Sequence, residues 1–185
     1  NTPLFPANAR ILKGTNKDMQ GSDTVTVRYK GNAENNVFNC QGSPLTAWQS
    51  SDVEFFINSK ADLACAAAKQ GVPDLDKAVS LIENVELMRI RYGEDTNMDG
   101  HVDRYVPADA PDLSLDRVKV VKIIILLRST EPTNPLFDSG YYTVDGIGFG
   151  PFNDHYLRKV LTITLPVNNV SPKQQATVKQ GGSND

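Results

Sequence analysis

The run Val120-Val-Lys-Ile-Ile-Ile-Leu-Leu-Arg128 constrains the fold more than any other segment, because it is apolar on both parities. An extended chain sends alternate side chains to opposite faces. Val121, Ile123, Ile125 and Leu127 therefore share one face and Ile124 and Leu126 the other. Such a strand belongs at the centre of a sheet covered on both sides. Lys119 and Lys122 interrupt the apolar stretch Val118 to Leu127, and neither a signal peptide nor a transmembrane stretch is visible in the 185 residues.

Other segments alternate with period two. Thr24 to Lys30 places Val25, Val27 and Tyr29 against Thr24, Thr26, Arg28 and Lys30, and Val53, Phe55 and Ile57 mark a second strand. Met88, Ile90 and Tyr92 form one face of a third, with Arg89 and Arg91 opposite. Leu157, Leu161, Ile163 and Leu165 are expected to face inward in the last strand, opposite Arg158, Thr162 and Thr164. Asp74 to Val85 has the spacing of a short helix, with Asp74 or Asp76 as cap and Ala78, Leu81, Ile82 and Val85 on its apolar face. Asp112 to Val118 adds another helical turn or two, and Pro132 to Gly150, rich in Pro, Asn and Gly, reads as a loop or hairpin. The predicted class is α+β: a mainly antiparallel sheet with short helices and long loops. With 39% apolar residues, one domain over residues 1–170 is expected, followed by a flexible tail at 171–185 that has no recurring apolar face.

Between the third strand and the central one lies Asp95-Thr-Asn-Met-Asp-Gly-His-Val-Asp103. Asp95, Asn97 and Asp99 place side-chain oxygens at alternating positions, Gly100 supplies a turn, His101 offers its carbonyl, and Asp103 follows. This is the ligand order of the first part of an EF-type calcium loop. Carboxylates crowded in so short a span repel one another unless a cation, a basic partner or water relieves them. Ca2+ is the expected ion; Mg2+ suits the loop less because it demands near-ideal octahedral geometry. The bidentate acid that closes an EF loop is missing, since Val106 stands there, and no EF-type helices flank the segment. A calcium-sensor EF-hand is therefore not expected. Glu94 and Asp109 are candidate supplementary ligands. The alternative is a metal-free acidic hairpin in which Asn and Asp cap their own backbone and Gly100 takes a positive φ.

Cys40 and Cys65 belong to no CxxC pair or His/Cys cluster, which favours a disulfide over zinc; two separately buried thiols remain the other reading. A disulfide implies an oxidising compartment. Catalysis finds little support, as His101 and His155 are the only histidines and the chain has no HExxH, Walker A or GxSxG motif. Gly146-Ile-Gly-Phe-Gly150 lacks the lysine and helix of a phosphate loop and reads as a hairpin. No catalytic or organic-cofactor residue is expected. A net charge of −3 with scattered basic residues argues against nucleic acid as a partner. Arg89, Arg91 and Arg128 are expected in ion pairs on the sheet, with Glu86 or nearby acids.

The order of these elements resembles the globular part of the PilW family of type IV pilus minor pilins, and more distantly the J-type minor pseudopilins of type II secretion. The residues that carry it are Gly21 to Tyr29, Cys40 and Cys65, Leu81 to Gly93 leading into Asp95 to Tyr105, Val118 to Ser129, and Leu157 to Leu165. Together they cover Gly21 to Asn169. The resemblance implies a pilin-like head preceded by a hydrophobic N-terminal helix, which this chain lacks, so that it reads as a truncated soluble fragment. It further implies initial anchoring in the bacterial inner membrane, a periplasmic or extracellular pilus-associated location, and other minor and major pilins as partners. On this reading the protein takes part in pilus initiation or tip assembly, with a calcium-stabilised head; adhesion, DNA uptake and twitching motility are all open as the output. The alternative is a calcium-dependent carbohydrate or surface-adhesion module, with Trp48, Tyr141, Tyr142 and Phe149 forming the ligand surface.

Overall fold

The computed structural model describes residues 12–17, 21–34, 36–47, 49–69 and 72–167. The central strand is β11 (Val118–Arg128). It lies between β9 (Val85–Glu94) and β14 (Arg158–Pro166), and β10 (Arg104–Val106) completes an antiparallel sheet in the order β10-β9-β11-β14. Ile123 stands opposite Ile90 on one side and Ile163 on the other, while Ile124 stands opposite Arg89 and Thr162.

A second sheet runs β1 (Leu12–Thr15), β2 (Thr24–Lys30), β5 (Ser50–Ile57), β6 (Leu63–Lys69), and from there to β7 (Val72–Pro73) and β8 (Val79–Ile82). Two small hairpins, β3 (Val37–Phe38) with β4 (Pro44–Leu45) and β12 (Tyr142–Val144) with β13 (Ile147–Phe149), complete the described strands.

Both faces of β11 are covered, as its two-sided apolar pattern requires. On one face Val121 and Ile125 pack with Val85, Met88, Ile90 and Tyr92 of β9 against Leu12 and Val25 of the second sheet. On the other, Ile124 and Leu126 pack with Leu87 beneath Val144 of the β12–β13 hairpin. Each fully buried aliphatic side chain contributes about 1.5–3 kcal/mol to this arrangement. A third cluster, Val53, Cys65 and Ala67, packs against Tyr29, Cys40 and Phe55. There Cys40 and Cys65 form a disulfide with Cα atoms 6.4 Å apart.

The α+β expectation is wrong: the regular structure of the described residues is strand, apart from two single 3-10 turns. Where Asp74 to Val85 was expected to be helical, Leu75–Lys77 is a single 3-10 turn without a side-chain cap bond from Asp74, and Val79–Ile82 is β8, paired with β6. Of the expected helical face, Leu81 and Ile82 are exposed and only Val85, already in β9, reaches the core. A helix this short is marginal without such burial, whereas the edge of β6 offers a backbone ladder, reinforced by the Ser80 hydroxyl donating to Asp62 at 2.8 Å. Asn84, at φ 60°, turns the chain from β8 into β9. The helix expected at Asp112 to Val118 is likewise one 3-10 turn, Leu115–Arg117.

The last strand corrects a second expectation. Leu161 packs on the core, but Leu157, Ile163 and Leu165 are exposed, because β14 is the outermost strand of its sheet. The domain boundary at 170 and the tail at 171–185 lie outside the described residues, as does Trp48.

Candidate functional site

The acidic segment is the connection of a hairpin. β9 and β10 pair with Arg104 opposite Glu94 and Tyr105 opposite Gly93, and Asp103 N–H closes the loop on Glu94 O at 2.9 Å. Gly93 is needed at this step, because a Cβ there would lie 2.4 Å from Val120 Cγ2. Asp95 is anchored from below, its N–H donating to Arg117 O at 3.0 Å.

The acids divide by burial. The Asp95 carboxylate is 1% exposed and accepts the N–H of Asp99 at 3.1 Å on one oxygen and that of Gly100 at 2.9 Å on the other. Lys119 Nζ lies 3.5 Å away. Burial alone would raise the Asp95 pKa, but backbone hydrogen bonds at Gly100 and Met98, together with Lys119, outweigh it and hold the carboxyl below the usual aspartate range. Asp103 is also held low, chiefly by the Thr96 hydroxyl at 2.6 Å and then by the Thr96 N–H at 2.7 Å. Asn97 Oδ1 accepts the Asp99 N–H at 2.9 Å and Asp99 Oδ1 the His101 N–H at 2.8 Å. Met98 and Gly100 take positive φ.

The alternating oxygens thus form successive Asx turns. Asp95, Asn97, Asp99, His101 and Asp103 share one hairpin tip, with all but Asp95 exposed. Among the described residues, no group of three or more His, Cys, Asp or Glu side chains comes together as a metal-holding set. The two candidate supplementary ligands are engaged elsewhere. Glu94 is 1% exposed and accepts Arg104 Nε at 3.0 Å, Arg104 Nη2 at 2.7 Å and the Ser114 N–H at 2.9 Å. Asp109 accepts the Asn16 amide at 3.1 Å.

Of the predicted aromatic ligand surface, Trp48 lies outside the described residues, and Tyr142 and Phe149 pair across the β12–β13 hairpin. Tyr141 is exposed, while Tyr142 donates to Asp138 at 3.1 Å and packs with Phe149 and Phe152 on the second core cluster. A separate open groove of about 360 Å³ is lined by Asn39, Gln41, Gln49, Asp74 and Lys77 among others. Its amides are partly used in holding the chain: Asn39 Oδ1 accepts the N–H groups of Gln41 and Ser43, and Gln41 Nε2 donates to Lys77 O.

Of the arginines expected on the sheet, Arg89 is buried and Arg91 and Arg128 are partly exposed. Arg89, 2% exposed, donates to Asp23 at 3.2 Å and to Gly21 O at 2.5 Å; Arg91 pairs with Asp145; Arg128 lies 3.9 Å from Glu86. Sequence reasoning missed Arg158, which is 1% exposed and binds Glu86, Asp138 and Asp154. It fastens the 130–157 loop to the sheet and leaves Leu136, Phe137 and Tyr141 exposed on that loop.

The sequence model of the type IV pilus-assembly protein W family, PilW, matches residues 54–169. The chain belongs to this family. The match takes in the four-stranded sheet, the acidic hairpin and the Arg158-clamped loop of this PilW-family chain. Among solved structures, a type IV-like pilin from Thermus thermophilus superposes with a TM-score of 0.52 at 15% identity, covering 85% of this chain and 83% of that one. At that identity the likeness is one of fold. No curated protein matches the chain. As a PilW-family protein it is a type IV pilus-associated pilin, with a periplasmic or pilus-surface location.

Proposed function

We propose that this PilW-family head belongs to a minor pilin that initiates the pilus or assembles its tip, working by contact with other minor and major pilins rather than by turnover. The observation that carries this reading is the family match over the strands that form the doubly covered sheet and the loops clamped to it. A rigid head with Leu136, Phe137 and Tyr141 exposed on an anchored loop suits lateral subunit contact. Anchoring of the native protein in the inner membrane by an N-terminal helix belongs to the same proposal. Its test is photo-crosslinking in piliated cells from Leu136 and Phe137 of the native protein. Adducts with other pilins are expected; adducts that contain no pilin would overturn the assignment.

The calcium part of the proposal rests on the oxygen spacing and on the preformed turns of the hairpin. Asp95, Asn97, Asp99, the His101 carbonyl and Asp103 would hold the ion, which would tighten the exposed half of a loop already closed by its own N–H groups. Affinity in the millimolar range suits a loop with no closing bidentate acid. Amide exchange across residues 94–104 should quicken on chelation. Identical exchange with and without calcium would reduce the segment to a metal-free Asx hairpin.

A further inference from the structure

The outer edge of β14 carries a self-complementary sequence, and we infer that it pairs with β14 of a second copy of this chain. The parity of the strand is fixed by its ends. Val167 N–H donates to Lys119 O, and Ser129 N–H donates to Leu157 O. In an antiparallel ladder the N–H and C=O of one residue point the same way, and successive residues alternate. The odd-numbered residues of β14 therefore spend their backbone groups on β11, and Val160, Thr162 and Thr164 direct theirs away from it. Nothing among the described residues pairs with that outer edge.

Edge strands are normally blunted by charge, proline or a bulge. Here Lys159 and Pro166 stand at the ends, but the five residues Leu161-Thr-Ile-Thr-Leu165 between them carry no charge and no proline. Their register with β11 is uninterrupted, in contrast to the shifted β9–β11 register. Ile163 and Leu165, 45% and 47% exposed, extend the apolar face of the sheet to this open margin.

The five residues also read the same in both directions. A twofold axis through Ile163 sets Ile163 against its own copy, Leu161 against Leu165 and Thr162 against Thr164, with every matched pair on one face. Lys159 then falls opposite Val167, so no like charges meet. Thr162 and Thr164, the residues with outward N–H and C=O groups, form the hydrogen-bonded pairs. Ile163 forms the closer non-hydrogen-bonded pair, where side chains approach most. A closed isologous contact results, and it joins two four-stranded sheets into a continuous sheet of eight. This contact is distinct from the heterologous packing that builds a fibre, and it would link two heads before assembly or between fibres.

Sedimentation of the whole 185-residue chain from micromolar to millimolar concentration should show a monomer–dimer equilibrium. Thr164→Pro removes an outward N–H and leaves the β11 ladder whole, as Pro166 at the same parity already does. It should keep the melting curve of the parent and weaken dimerisation roughly tenfold or more, since a ladder bond is lost at each of two symmetric sites. Ile163→Cys should form an intermolecular disulfide on oxidation, because the non-hydrogen-bonded position brings Cα atoms to about 4.5 Å. Thr162→Cys alone should not, whereas a mixture of Thr162→Cys and Thr164→Cys chains should. A monomer throughout, an unlinked Ile163→Cys variant, or undiminished dimerisation of Thr164→Pro would each overturn the inference.

Discussion

Arg158 spends all five of its N–H donors on Glu86, Asp138 and Asp154, and its guanidinium lies 3.7 Å from the centre of the Phe152 ring. Removing one partner of a buried ionic cluster leaves the others desolvated without compensation. Because Glu86 and Asp154 are 19% and 32% exposed and regain water, Arg158→Met should cost less than a fully buried pair, roughly 2–3 kcal/mol in urea unfolding. The Arg158 hydrogen bonds, more than any other influence, pull the Asp154 pKa down to about 2. A lowered folded-state pKa stabilises above the unfolded value of about 3.9 and ceases to do so as pH falls through the folded value. The acid-induced loss of stability across that interval should be shallower in Asp154→Asn, measured as urea midpoints against pH. Tyr92 is the opposite case: its hydroxyl is buried with no hydrogen-bond partner among the described residues, fitted against Gly14, where a Cβ would lie 1.8 Å from the oxygen. Tyr92→Phe should be neutral or stabilising by up to about 1 kcal/mol in the same assay, because an unsatisfied polar group is removed. None of this was legible in the sequence. The carboxylates on Arg158 come from 72, 20 and 4 residues away, and an arginine on the polar parity of a strand reads as solvated until the loop that covers it is placed.

At the scale of elements, the period-two strands were legible wherever tertiary packing agreed with local alternation. β2, β5, β9 and β11 fall where their patterns place them, and the central position of β11 follows from its two apolar parities. Two readings failed for one reason: periodicity records which side chains align but not whether a core exists to receive them. In β8 the helical spacing of Ala78, Leu81 and Ile82 was incidental to an edge strand, and in β14 the apolar parity lies on the open margin of the sheet. Leu81→Lys makes the distinction measurable. On an exposed strand position the cost should stay within about 0.5 kcal/mol, whereas loss of a buried helical leucine would cost several times more. The acidic hairpin was legible as a loop rich in oxygen. The commitment of Glu94 to Arg104 and Ser114 was not, because it depends on the return of the chain after β10.

Across the whole molecule, two antiparallel sheets share one core, the disulfide fastens the β3–β4 hairpin to the second sheet, and Arg158 fastens the 130–157 loop to the first. Closing a loop of 25 residues by Cys40–Cys65 removes unfolded-state entropy worth roughly 3–4 kcal/mol. The double substitution Cys40→Ser/Cys65→Ala should lower stability by about that amount in urea unfolding while leaving the sheet signature in circular dichroism. Such pinning suits a subunit whose loops must keep their shape while neighbours dock on them. The assembly role itself is tested most directly by deleting the gene for the native protein in its host and counting surface pili by electron microscopy, with the full-length protein resupplied as control. Pili should be lost or become sparse in the deletion strain, and resupply should restore them. Normal pilus number and length in the deletion strain would contradict the assembly role.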